Sequence, residues 1–597
     1  MFLKTSHNYE HMENLLSVNN IEVCFSLDGK IQKAVESIEF GIKSAETLAI
    51  VGESGSGKSI TALSIMWLIQ KTGGKITKGS VLFERESGES IDLVKASDEQ
   101  MRMIRGNEIA MVFQEPMTSL NPVFTVGDQI KEALMIHQNM TNKDADSYVL
   151  DVLDQVKISE PKRRFQQYPH ELSGGMRQRV MIAMALVCRP KLLIADEPST
   201  ALDVTIQAQI LWLLSKLKEE TGTSLLFITH DLGIVAQIAE RVVVMSEGKV
   251  VESGNVHQIF RSPSQTYTQN LLNSVPILGT FQSEIDTERP TTETTIKIEH
   301  ATIRFPLKSR LFSKYRKEVL AVDDVSFEVR KGKTLGLVGE SGCGKSTICK
   351  AIVGLANLTA GSILVGKTKI VPKARNLPLE ARRNTQIIFQ DPLASLSPRR
   401  TAFNQIAEPL KIHNYGSKLQ IQERVEWLVE KVGLTKKQLE RYPHEFSGGQ
   451  RQRLCIARAI ALNPQVLIAD EPVSALDVSI QAKVLDLLIS LQEEFSITFL
   501  FVSHDMAVVE KMSDDIAVMY MGRIVEYGDR NSILSNPVHP YTQNLLTSVP
   551  IPNPEIKMNE PKFYEKGTIS PIISADQKVS KKIEYKSISP THRVIIS

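Results

Sequence analysis

Gly52-Glu53-Ser54-Gly55-Ser56-Gly57-Lys58-Ser59 decides the fold of this chain, and it is written a second time as Gly339-Glu340-Ser341-Gly342-Cys343-Gly344-Lys345-Ser346. Both stretches fit G-x-x-x-x-G-K-[ST]. An apolar run precedes each one (Thr47 to Val51; Thr334 to Val338), and a helical pattern follows, starting at Ile60 and Thr347. Strand, Gly-rich turn and helix together aim backbone N–H groups at an anion, and the positive end of the helix dipole favours its charge. Lys58 and Lys345 are placed to reach the β- and γ-phosphates of a nucleotide. Ser59 and Ser346 are placed to put a hydroxyl on Mg²⁺.

Outward from the loops, the chain reads as one unit written twice. Tyr168-Pro169-His170-Glu171-Leu172-Ser173-Gly174-Gly175 returns as Tyr442-Pro443-His444-Glu445-Phe446-Ser447-Gly448-Gly449, an offset of 447 − 173 = 274. Ala195 to Pro198 returns at Ala469 to Pro472, and Thr229-His230-Asp231 returns as Ser503-His504-Asp505, with the same offset. The loops are offset by 345 − 58 = 287, so the first repeat holds extra residues. Most of them fall around Phe83 to Asp98, where a surface loop is expected. The boundaries are 1–278 for the first domain, 279–295 for a Thr-rich linker, 296–552 for the second domain and 553–597 for a disordered tail. Apolar strands alternate with helical patterns in each repeat. Leu192 to Ala195 and Ser224 to Ile228 suit buried parallel strands, and Ile206, Ile210, Leu213, Leu214 and Leu217 share one helix face. The fold class is α/β, with a mostly parallel core sheet in each domain.

The chain has 597 residues, too many for one core. Its 70 Lys+Arg against 68 Asp+Glu give no reason to expect nucleic acid as a partner. No apolar stretch approaches the roughly 18 residues that span a bilayer. Met1 to Glu13 is polar, without a signal-peptide pattern, and Met12 is an alternative start. Cys24, Cys188, Cys343, Cys349 and Cys455 form no C-x-x-C pair, which indicates neither zinc nor a disulfide framework and suits a reducing compartment.

Around the loops stand residues whose types suit nucleotide hydrolysis. Asp196 and Asp470 end apolar strands, where a carboxylate can hold Mg²⁺ directly or through water. The next residues, Glu197 and Glu471, can act as general base on a water molecule. Gln114 and Gln390 follow apolar runs and can bind Mg²⁺ or orient water. His230 and His504 can donate to the γ-phosphate and hold the base in place. Ser173-Gly174-Gly175 and Ser447-Gly448-Gly449 precede helices and form a second anion site per repeat, which makes sense if each serves the nucleotide of the other repeat.

In this order and twice over, these features resemble the ATP-binding cassette (ABC) ATPases, over about 530 residues. The resemblance implies two tandem P-loop NTPase domains, each with an N-terminal antiparallel β part and a helical subdomain. It implies two ATP sites closing head to tail: Lys58, Ser59, Gln114, Asp196, Glu197 and His230 with Ser447 and Gly449, and Lys345, Ser346, Gln390, Asp470, Glu471 and His504 with Ser173 and Gly175. Met176 replaces the usual glutamine of the signature and Phe446 the usual leucine. Phe25 and Phe305 are the adenine-stacking aromatics by the same resemblance. Gln114 to Pro122, Gln390 to Pro398 and Val538 to Leu546 are similar to the bacterial peptide and nickel importers. That resemblance implies uptake of glutathione or a similar small peptide, with an oligopeptide, nickel or another solute as the alternative. It also implies two inner-membrane permeases and a periplasmic solute-binding protein as partners, with this chain peripheral on the cytoplasmic side and a homodimer unnecessary. The iron–sulfur cluster found in some of these ATPases needs cysteines beyond the cassette; Cys455 is the last one here, so none is expected. A soluble double-cassette translation factor is the distant alternative, disfavoured by the short linker.

Overall fold

The computed structural model describes residues 14–27, 29–114, 119–199, 202–280, 293–307, 317–372, 377–558, 560–561, 572–574 and 583–596. Most of the linker, 281–292, and Glu115 to Thr118 of the first importer-like segment lie outside them. The chain divides into two compact units. The first comprises Met1–Leu202, Ile206–Val275 and Pro550–Glu560; the second comprises Asp203–Thr205, Pro276–Val549 and Pro561–Ser597.

In the first unit a six-stranded sheet runs in the order Lys249–Asn255, Arg241–Ser246, Thr47–Val51, Ser224–Thr229, Leu192–Asp196, Ile109–Val112. Every pairing is parallel except the Arg241–Ser246/Lys249–Asn255 hairpin. Thr47–Val51, Leu192–Asp196 and Ser224–Thr229 are buried at every position. That is why they read as unbroken apolar runs rather than alternating ones. The helix Val204–Thr221 packs Ile210, Leu213, Leu214 and Leu217 into the core with Ile206 at its margin, as their spacing requires. A second, antiparallel sheet orders Lys30–Ile42, Leu16–Leu27, Gly74–Glu84 and Ser90–Asp92. Helices Val126–His137, Asn142–Gln155 and Gly174–Leu186 form a helical layer over a shared core that includes Ile130, Val149 and Val180.

The stretch expected as a surface loop, Phe83 to Asp98, is mostly ordered. Ser90–Asp92 pairs with Gly74–Glu84, Leu93 is fully buried, and Ser97 starts the helix Asp98–Ile104 with a capping box closed by Gln100. Phe83 and Leu93 lie in the core with Ile91, Val94 and Ala96 packed against it, and these apolar residues pin the polar run.

The second unit repeats the plan. Its parallel strands are Thr385–Ile388, Val466–Asp470, Thr498–Ser503, Thr334–Val338 and Asp515–Tyr520, in that spatial order, followed by antiparallel Arg523–Asp529. Two more strands follow, and the sequence reading did not foresee them. Arg593–Ile595 pairs with Arg523–Asp529, and Tyr585–Ser587 closes a hairpin on it. Ile572–Ser574 joins the edge of the antiparallel sheet beside Lys317–Arg330. The expectation of a disordered tail is therefore corrected for these described residues. Buried Val594 and the buried His592–Glu526 pair give the segment its anchors. The neighbouring 562–571 and 575–582 lie outside the described residues. Pro550–Glu560, placed by its sequence position with the second repeat and the tail, belongs to the first unit. There Met558 packs on the helical core and Arg261 pairs with Glu555.

Candidate active site

The phosphate loop of each unit leaves a buried central strand and enters a helix, Lys58–Ile65 or Lys345–Ile352, whose cap glycine is left-handed (φ 98° at Gly57, 111° at Gly344). A side chain at Gly52 or Gly339 would collide with the carbonyl of Met245 or Met519, so only glycine lets the loop pass. Lys58 Nζ donates to Gly52 O at 2.8 Å and to Glu53 O at 2.9 Å, and Lys345 Nζ to Gly339 O at 2.6 Å and Glu340 O at 2.9 Å. Each ammonium is thus held inside the curve of its own loop.

Parallel pairing brings the distant acids to the loop. Leu192–Asp196 and Val466–Asp470 lie two places from the loop strand in the sheet, with Ser224–Thr229 or Thr498–Ser503 between, and end beside the loop. Ser59 Oγ donates to Asp196 Oδ1 at 3.0 Å, and Ser346 Oγ to Asp470 Oδ1 at 3.0 Å. Burial disfavours the charged form of Asp196 and pushes its carboxyl up to about 6, against the Ser59 hydrogen bond that favours ionisation. Asp470 is shifted the same way, again chiefly by burial.

The next residue of each strand end turns to different partners. Gln114 Nε2 donates to Glu197 Oε2 at 2.9 Å, and His230 Nδ1 lies 3.3 Å from Glu197 Oε1. In the second unit, Gln390 Nε2 donates to Glu471 Oε2 at 2.8 Å, and His504 Nδ1 lies 3.4 Å from the same oxygen. Burial works against the imidazolium of His230, but the hydrogen bond and charge of Glu197 outweigh it and raise the histidine above its ordinary value. His504 is raised likewise against burial by Glu471. Burial also works against the Glu471 carboxylate, yet the contact with His504 and the charge of Lys345 hold it below the usual carboxylate value. Five predicted side chains per repeat therefore form two hydrogen-bonded groups beside each phosphate loop, Ser with Asp and Gln with Glu and His.

Other expected site residues stand apart from these groups. Ser173 accepts from Met176 N at 3.4 Å and caps the helix Gly174–Leu186; Ser447 accepts from Gln450 N at 3.4 Å and caps Gly448–Ala459. Both helices therefore begin inside the Ser-Gly-Gly segment rather than after it, because the serine side chain closes the first turn. Phe25 is half-buried against Gly74, and Phe305 is 43% exposed.

Models of the ABC transporter family match residues 35–200 and 322–474. The chain belongs to the ABC transporter family. Residues 251–299 and 525–572 also match the C-terminal region of oligopeptide/dipeptide transporters. The glutathione import ATP-binding protein of Salmonella typhimurium strain LT2 is 50% identical over 562 residues, covering 91% of this chain and 90% of its own. The protein of the same description from Pectobacterium atrosepticum is 49% identical over 569 residues, 92% of this chain and 91% of its own. A solved dimeric ATP-binding cassette in a post-hydrolysis state with ADP and phosphate aligns to 40% of this chain and 98% of its own, at 29% identity and a TM-score of 0.36. The chain carries two ABC cassettes and is an ABC-type ATPase.

Sequence reasoning assigned no site role to three features of these ABC cassettes. Asp231 and Asp505, beside the histidines, are N-caps that accept from the backbone of Leu232–Ile238 and Met506–Met512. Glu197 and Glu471 both have left-handed backbones, with φ 46° and 50°. Tyr267 and Tyr541 place their hydroxyls on the phosphate loops. The tyrosines recur at 541 − 267 = 274, the offset of the Ser-Gly-Gly, Asp-Glu and His pairs, and that coincidence was the available signal.

Proposed function

We propose that this ABC ATPase powers the uptake of glutathione or a similar small peptide across a bacterial inner membrane. The observation that carries the reading is the pairing, on one chain, of two ABC cassettes with an oligopeptide/dipeptide-type extension after each. Glutathione import relatives half-identical over nine-tenths of both chains support the choice of solute. No helix among the described residues is long and apolar enough to cross a membrane. The proposed partners are therefore two permeases, under which this chain sits at the cytoplasmic face, and a periplasmic binding protein that delivers the solute.

The donor set suits Mg²⁺: serine hydroxyl, aspartate carboxylate and glutamine amide are hard oxygen ligands, and the Ser59–Asp196 and Ser346–Asp470 contacts already bring two of them together. Bound there, the ion would neutralise charge on the nucleotide's phosphates. The chain's own residues do the rest. The loop amides and Lys58 or Lys345 cradle the phosphates. Glu197 or Glu471 accepts a proton from the attacking water, and His230 or His504 fixes the orientation of that carboxylate. Gln114 or Gln390, bonded to the glutamate, carries its state into the importer-like segment that follows. Phe25 and Phe305 are assigned to the adenine rings, and each signature serine to the nucleotide held by the other repeat.

Glu471→Gln keeps size and hydrogen bonding but removes the base. Hydrolysis at the Lys345 site is expected to fall about 10²- to 10⁴-fold while ATP still binds, seen as nucleotide retained through rapid gel filtration. Unchanged turnover removes Glu471 from that role. Ser173→Arg should impair the site holding Lys345, and a loss confined to the Lys58 site overturns the crossed assignment. For the solute, the chain is reconstituted with its permeases in lipid vesicles. ATP turnover should rise with glutathione-loaded binding protein, and a response to nickel or long peptides alone refutes the glutathione reading.

A further inference from the structure

One peptide unit in each phosphate loop is gripped from both sides. In the second unit it is Gly339–Glu340: its carbonyl accepts from Lys345 Nζ at 2.6 Å, and its N–H donates to Tyr541 Oη at 2.9 Å. In the first unit it is Gly52–Glu53: the carbonyl accepts from Lys58 Nζ at 2.8 Å, and the N–H donates to Tyr267 Oη at 3.4 Å. The tyrosines come from the extension helices Thr266–Asn273 and Pro540–Thr547, inside the segments that match oligopeptide/dipeptide transporters. The same contact made twice, across more than 200 residues of sequence each time, is a built feature rather than a chance approach.

The rest of the loop is tied at its far end. Gly522 N donates to Cys343 O at 2.9 Å, and Gly248 N to Ser56 O at 3.1 Å, from the hairpin turns beside each loop. The lysine is the one restraint on the Gly–Glu peptide that must also serve the nucleotide. Each ammonium has three protons to divide between the two loop carbonyls and a phosphate. The tyrosine hydroxyl holds the N–H of the same peptide, so the peptide plane keeps that restraint however the lysine divides its protons. The Tyr541 ring is firmly seated: it is 1% exposed, it lies 4.3 Å from the Tyr520 ring, and it packs among Val338, Met506 and Leu545. Tyr267 is only partly buried, against the core that includes Val51 and Leu271.

We infer that Tyr541 and Tyr267 are positioning residues for ATP binding, through which the transporter-type extension of each cassette shapes its phosphate loop. A loop fixed this way holds the phosphates equally in the ground state and the transition state. Losing the hydroxyl therefore raises KM and leaves kcat in place.

Tyr541→Phe and Tyr267→Phe remove only the hydroxyl and keep the ring in its packing. In the full-length chain, ATP titration and steady-state hydrolysis should show Kd and KM for ATP raised about threefold to tenfold by Tyr541→Phe, with kcat at saturating ATP retained. Tyr267→Phe, with its longer contact, should have a smaller effect of the same kind. Tyr527→Phe is the control: it deletes a tyrosine hydroxyl of the same unit that donates to Glu328 O instead of the loop, and it should leave both constants unchanged. Unchanged Kd and KM in both loop-tyrosine variants overturn the inference. So does a rise that Tyr527→Phe reproduces, or one that follows a drop in melting temperature. Nucleotide binding by this chain alone is the readout, so the outcome is independent of which solute is carried.

Discussion

Asp196 and Glu197 are chain neighbours that serve two different partners, and one backbone angle separates them. The strand ends at Asp196, which faces Ser59; Glu197 then turns left-handed at φ 46° and faces Gln114 and His230. Glu471 repeats the turn at φ 50°. Its N–H still bonds the adjacent strand at Val502 O, 3.0 Å away, so the strain is held by the sheet. The 274-residue offset made the acids and histidines legible in the sequence, and the glutamines, 390 − 114 = 276 apart, were legible from residue type after matching apolar runs. The strained backbone was not, because a left-handed glutamate leaves no mark on residue type. Single charges away from the site also set stability. Glu22 sits between Lys33 Nζ at 2.8 Å and Lys78 Nζ at 3.6 Å and accepts from Thr77 at 2.7 Å. The Lys33 hydrogen bond, then that of Thr77, pushes its carboxyl from 4.5 down to about 2. A depressed carboxylate stabilises the fold above its unfolded value and loses that contribution as pH falls through the folded one. Glu22→Gln should therefore melt earlier than the parent chain at pH 7, and the gap should close between about pH 4.5 and pH 2 in thermal scans.

Among the elements, the buried parallel strands were the most readable and the terminal hairpin the least. Leu192–Asp196 and Val466–Asp470 have five buried positions each, so composition alone marks them. Arg593–Ile595 is three residues long in a polar, Pro- and Ser-containing stretch, and its strand character comes from what it meets rather than from propensity. It pairs with Arg523–Asp529 and carries His592 onto Glu526 at 2.8 Å, the two side chains being 3% and 0% exposed. Glu526 also accepts from Val538 N and His539 N, so one carboxylate joins the hairpin to the start of the extension helix. His592→Ala leaves that buried acid without its side-chain partner and should cost about 3 kcal/mol locally. Amide hydrogen exchange is the measurement: Tyr527 and Val594 should exchange faster, while Leu192–Asp196 in the other unit stays protected.

At the scale of the whole molecule, chain order and unit membership disagree. The sequence shows two repeats in series, yet the first unit takes back Pro550–Glu560 after the second cassette is complete. Met558 lies on the helical core of the first unit, and the backbone of Pro550 stands against Gly233. Sequence reading gave 550–552 to the second domain and 553–560 to the tail, because nothing in this eleven-residue stretch announces where it will pack. A fragment ending at residue 278 should accordingly melt several degrees below the same fragment mixed with a synthetic 550–560 peptide, and equal melting would show that the segment adds nothing to the unit. The order of synthesis gives this return its consequence. A ribosome releases the amino end first, but the first unit cannot reach its final contents until residue 560 has emerged. The half of the protein made earliest is thereby finished nearly last, and a message truncated anywhere in the second cassette yields a first cassette that is still open to quality control.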